Sequence, residues 1–182
     1  SITAGAATSA AALPPTTTNI DFSPTRVGGT CDNFTPSTTD YDLAKMAEWD
    51  NLTDFTRTDT NTKFTVKFKL LKNLCNPFTA RATVYDLPAG ATSDFLPTAW
   101  PQTRYSSFAF DVYESGTYIV TFNKSCPAQQ FDVHTGAAPQ TLDSINSTTY
   151  HGPLLFGSPA LDVLSGTTNS SAAIWYGRSE ER

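Results

Sequence analysis

Two histidines, three cysteines and seventeen carboxylates are the side chains of this 182-residue sequence with the widest chemical repertoire. His134 and His151 are candidate metal ligands or general bases, yet neither lies in an HExxH or other paired-ligand spacing, and Cys31, Cys75 and Cys126 form no CxxC. A hydrolytic serine needs a GxSxG elbow, and the nearest strings, FGSPA and ESGTY, lack that spacing. The phosphate-cradling patterns GxGxxG and GxxxxGKS/T do not occur either. Acid–base pairs drawn from Asp86, Asp111, Glu114 and Asp132 are no more than a pool of seventeen acidic residues offers by chance. The two histidines read as ordinary core or surface residues. The expectation is a chain with no catalytic residue, no cofactor and no metal.

Residues suited to contact are more plentiful. Lys63, Lys67 and Lys69 fall on one face of a strand, with Arg81 near them, and this row would meet RNA or a partner's carboxylates. The plainer account of the row is a solvated polar face. Trp49, Trp100 and Trp175 offer a stacking platform for carbohydrate, though core and interface packing explains tryptophans equally well. Asn-x-Ser/Thr sequons at Asn33, Asn51, Asn123, Asn146 and Asn169 would carry glycans on a secreted chain. Cys75 and Cys126 sit in matching settings, KNLCNP and NKSCPA, each just past a strand, so they would meet at one end of a sandwich and bridge there. Otherwise all three cysteines are buried free thiols.

The elements that must hold these residues are mostly strands. KFTVKFKLL alternates Phe64, Val66, Phe68 and Leu70 with Lys63, Thr65, Lys67 and Lys69, the period of a half-buried strand. FTARATVYDL alternates Ala80, Ala82 and Val84 with Arg81, Thr83 and Tyr85. SFAFDVY and TYIVTF, joined by ESG, read as a long hairpin with Gly116 supplying the turn. FDVHT, LLFGS, ALDVL and AAIWYG are shorter candidates, and seven or eight strands result. One short helix precedes them, capped by Asp40 or Asp42, with Leu43, Met46, Ala47 and Trp49 near its apolar face.

Residues 1–19 are small, uncharged and low in complexity, an extended arm expected to lie against another subunit or across its own domain, residues 20–182. Ser1 reads as the product of processing, by a signal peptidase or from a larger precursor. A net charge of −5 with only 16% charged residues argues against a strongly basic nucleic-acid surface, and no apolar run reaches the length of a membrane span, so no membrane is expected as a partner.

The order of elements resembles picorna-like virus capsid jelly rolls, most of all the small coat protein of comovirus-type plant viruses. LAKMAEW (residues 43–49) matches a helix that ends in tryptophan before a strand, and FAFDVYESGTYIV (residues 108–120) matches a mid-domain hairpin. The resemblance implies an eight-stranded antiparallel jelly-roll sandwich with one short helix and an extended N-terminal arm. It further implies a coat subunit cut from a polyprotein that assembles with copies of itself and a larger coat protein into an icosahedral shell around genomic RNA. Such a chain resides in the virion and, during assembly, in the host cytoplasm, where unpaired cysteines and bare sequons are unremarkable. The alternative is an extracellular, glycosylated β-sandwich subunit of a cell-surface filament or adhesin, whose arm completes a neighbour's sheet.

Overall fold

The computed structural model describes residues 18–40, 42–57, 62–88, 100–125, 129–143, 151–156 and 173–175. Strict alternation makes strand β3 (Lys63–Leu70), which buries Phe64, Val66, Phe68 and Leu70 and leaves Lys63, Lys67 and Lys69 exposed. Around it lie β1 (Thr18–Pro24), β2 (Thr53–Arg57) and β6 (Gly116–Asn123), giving a first sheet in the order β1-β6-β3-β2. The second sheet joins β4 (Phe78–Asp86), β5 (Gln102–Val112), β7 (Gln129–His134), β8 (Thr141–Leu142) and β9 (Ala173–Trp175) in the order β8-β5-β4-β7-β9. Every pair is antiparallel, so the described residues form an all-β sandwich of two sheets with one helix. The described residues form nine strands where eight were expected, and β1 takes in the last two residues of the expected arm.

SFAFDVY and TYIVTF do not form the expected hairpin. β5 pairs with β4 and β8 in the second sheet, whereas β6 pairs with β3 and β1 in the first. Each strand has one apolar face, and a three-residue link allows two such strands to meet face to face as readily as edge to edge. Here they meet across the core, with the Phe108 and Phe122 rings 5.8 Å apart. Gly116 (φ +154°) begins β6 where β1 passes closest, and a Cβ there would overlap the Ser23 carbonyl and crowd the Phe22 ring. Its freedom serves that close approach.

Helix α1 (Leu43–Leu52) starts as its sequence suggests: the Asp42 carboxylate accepts from the Ala44 and Lys45 amides at 3.0 and 3.2 Å. Its buried side is not the expected stripe. Trp49 and Leu52 are buried, while Leu43 is 72% exposed and Ala47 faces solvent. Only the C-terminal half of the helix reaches the sandwich, so apolar spacing in its first turn has nothing to pack on. Trp49 sits among Phe34, Phe68, Phe78 and Phe156 at centroid distances of 5.5–5.8 Å, plugging one end of the core.

The cysteine bridge is Cys31–Cys75, spanning 44 residues with a Cα–Cα distance of 5.0 Å, and this corrects both the reading of the cysteines as buried free thiols and the alternative Cys75–Cys126 pair. Asp32 pairs with Leu74: its amide donates to the Asn73 carbonyl and its carbonyl accepts from the Cys75 amide, both at 2.8 Å. That small bridge sets Cys31 beside Cys75 within disulfide reach. Cys126 lies outside the described residues.

Candidate functional site

The outer face of the first sheet carries the lysine row. Directly opposite residues share a face, so Lys69 stands between Asp54 and Thr117, Lys67 between Thr56 and Ile119, and Thr65 beside Thr121, with Asp21 next to Ile119 at the edge. Lys67 and Lys69 are exposed, and the acidic residues dilute their charge. Arg81 is not with them. It belongs to β4 in the other sheet, where its Nε donates to the Gly136 carbonyl at 3.0 Å.

The other expected contact residues scatter. Trp49 is in the core, Trp100 is half-buried, and Trp175 contributes backbone to β9. Asn33 and Asn51 are exposed and Asn123 half-buried, while Asn146 and Asn169 lie outside the described residues. The sequon hydroxyl of Thr53 is buried and donates to the Trp49 carbonyl at 2.9 Å. Nor do the four carboxylates converge. Asp86 accepts from Gln129 at one end of β4, Asp111 accepts from Thr79 at the other, and Asp132 lies beneath the second sheet's cover.

That cover brings together residues the sequence pattern had left apart. On the outer face of the second sheet, β4 presents Arg81, Thr83 and Tyr85 opposite His134, Asp132 and Gln130 of β7. Residues 135–140 and 151–153 fold over this face, and residues 154–156 continue beside β7, where Leu155 and Phe156 join the core. Arg81 donates to the Gly136 carbonyl, Tyr85 to the Pro139 carbonyl at 2.9 Å, and Arg104 to the Ala138 carbonyl at 2.6 Å and to Gln140 Oε1 at 3.0 Å. The cover is laced to itself and to β7 through Thr135 N to Pro153 O, Gly152 N to Ala137 O and Leu155 N to Val133 O, each 3.0 Å. Gly152 lies so close to the Thr135 carbonyl that any Cβ would overlap it.

Beneath the cover, both histidines of the chain meet, with ring centroids 5.0 Å apart. His134 Nδ1 lies 2.9 Å from the Thr135 carbonyl, which can only accept, so Nδ1 carries the proton. Burial above all, with the nearby His151 and Arg81 acting in the same direction, pushes the His134 pKa down to about 3. The ring is therefore neutral, and Nε2 accepts from the Thr83 hydroxyl at 2.9 Å, which in turn accepts from Ser107 at 2.9 Å. Hydrogen bonds thus run in one direction from half-buried Ser107 to the interior. His151 Nδ1 donates to the Gly152 carbonyl, which aims Nε2 at Asp132 Oδ2, 3.6 Å away. Asp132 accepts from Gln130 Nε2 at 3.1 Å on each oxygen, and Gln130 Oε1 accepts from Gln102 at 3.4 Å. Burial raises the Asp132 pKa, against the opposing pull of His151 and Gln130.

This Asp–His–His network has the residue types of a catalytic centre without access. Asp132 and His134 have no exposed surface and His151 retains 4%. Both His134 nitrogens are engaged, and no group of three or more metal-ligating side chains occurs among the described residues. The arrangement can hold protons and fasten a cover. The alternation of polar residues in ARATVYD and QQFDVH marked this face as leaving the core; nothing local marked what would fold over it. No protein-family model, curated protein or solved structure matches the chain.

Proposed function

We propose that this chain is an extracellular β-sandwich that works by contact, as a subunit of a cell-surface filament or adhesin, and performs no chemical step of its own. The observation that carries the reading is the Cys31–Cys75 disulfide, because such bonds form and persist in oxidising compartments. Three features support it. Both histidines are sealed from any substrate. The Asn33 sequon is open to solvent, and the Asn51 side chain is exposed although its partner Thr53 is buried. The strand order also suits the reading: β2-β3-β6 facing β5-β4-β7-β9 follows the immunoglobulin-like connectivity A-B-E facing C′-C-F-G, common in cell-surface domains.

Alkylation of the chain at the moment of lysis or collection, followed by intact mass, tests this. The expected result is one modified thiol per chain, on Cys126; three modified thiols would overturn the extracellular assignment. A second reading, a jelly-roll coat subunit of an icosahedral shell, draws on the two-sheet sandwich and on an arm that ends in an edge strand. Shells visible by electron microscopy would favour it.

A further inference from the structure

The strand at the edge of the first sheet is joined to the domain differently from the others. β1 touches the sheet through a seven-residue ladder to β6, from Thr18↔Phe122 to Pro24↔Gly116. Its apolar anchorage is slight: Ile20 packs at the margin of the core, and Phe22, still 39% exposed, lies over the Tyr118 ring at 4.6 Å. After Pro24 the chain runs through Thr25-Arg26-Val27-Gly28-Gly29-Thr30, all exposed. One backbone bond, Thr25 N to Ser115 O at 3.0 Å, holds the start of this hinge. A Cβ added at Gly28 or Gly29 would meet nothing within 4 Å. Between β1 and the Asp32–Leu74 bridge the backbone is left-handed at Arg26 (φ 59°) and Gly29 (φ 108°), and a side-chain-bearing residue such as arginine is disfavoured there.

Immediately beyond the hinge, the Cys31–Cys75 bond and the Asp32–Leu74 bridge fix the chain to the body of the domain. The boundary between what can leave and what cannot is therefore sharp. We infer that β1 is an exchangeable strand, and that the β6 edge of one copy accepts β1 of a second copy of this chain. Donor and acceptor are already matched, since the closed chain displays the same ladder and the same Phe22–Tyr118 contact. Exchange trades identical bonds, so the hinge and the protein concentration decide the balance. Straightening the hinge releases Arg26 from its disfavoured conformation. A swapped β1 that is not returned reciprocally leaves a free acceptor edge, and growth continues head to tail. This deepens the filament-subunit reading and rests on it.

The test uses full-length chains carrying Cys126→Ser. One also carries Asp21→Cys and the other Ile119→Cys, positions directly opposite in the β1–β6 register. The two are co-expressed, mildly oxidised and run on non-reducing gels beside a single chain bearing both substitutions. Exchange gives a covalent dimer of the two single-substitution chains and a ladder of linked multimers from the double one. A mixture that stays monomeric while the double chain closes on itself overturns the inference. So does a double chain that forms no bond at all, because β1 would then pair with no copy of β6. The thiol state of Cys31 and Cys75 is read separately on the unsubstituted chain, so a failed exchange and a failed extracellular assignment remain distinguishable.

Discussion

On the outer face of the first sheet, Lys67 and Lys69 stand in water beside Thr56 and Asp54. On the outer face of the second, Asp132 and His134 alternate along β7 in the same manner and meet no water at all. Both faces show the period-2 pattern of residues excluded from the core. What separates them is chain from elsewhere: residues 135–140 and 151–153 close over β4 and β7, and nothing comparable covers β3 among the described residues. The covered face must satisfy each polar group internally, and it becomes a network. The open face needs no such arrangement and stays available for contact.

The largest effect expected from this difference comes from deleting a buried charge partner. Asp132→Ala leaves His151 and Gln130 facing an empty site and should cost about 3–5 kcal/mol of stability, against about 0.5 kcal/mol or less for Lys67→Ala. Urea midpoints of the two variants measure the contrast, and equal midpoints would mean that the second face is wet. Acid is the next probe. His134 has a folded pKa of about 3, below its ordinary value of 6.5, so its contribution is complete above pH 6.5 and declines as the unfolded chain gains a proton that the fold refuses. That is a loss of about 2 kcal/mol by pH 5. Asp132 acts in the opposite sense: its raised pKa favours the protonated form in the fold, a contribution lost as pH rises through the folded value. His134→Gln isolates the histidine, and the stability lost between pH 6.5 and 5 should shrink in the variant.

An effect of similar size should fall on the cover alone. Arg81→Ala removes the charge-assisted bond to the Gly136 carbonyl, worth about 1.5–3 kcal/mol. Faster amide hydrogen exchange across residues 136–140, with β3 unchanged, would show that the loss is local. The smallest change is expected from Lys67→Ala with Lys69→Ala, which should shift the urea midpoint hardly at all. A substantial loss there would show that the open face is also part of the fold's support.

The limits of the sequence follow the same line. KFTVKFKL revealed which side of β3 is buried, because alternation is a property of one strand and one core. Asp40 and Asp42 marked the start of α1 to within two residues, because a cap is a local bond, and the structure selects Asp42. The partner of Cys75, the separation of β5 from β6 and the roof over Asp132 all depend on residues far apart in the chain. Period 2 does not say which sheet a strand joins, and a polar residue looks the same beside water as beside a histidine contributed by a distant segment. Arg81 shares a pattern with the lysines for this reason, although it stands on the opposite outer face with both sheets between.

The account rests on the claim that this domain acts by joining to other molecules through its open surfaces and edges. Electron microscopy of the oxidised, full-length chain over a range of concentrations tests that claim most directly. Linear assemblies that lengthen with concentration and disappear when residues 1–24 are removed are the predicted result. Monodisperse single domains at every concentration, or closed shells, would contradict it.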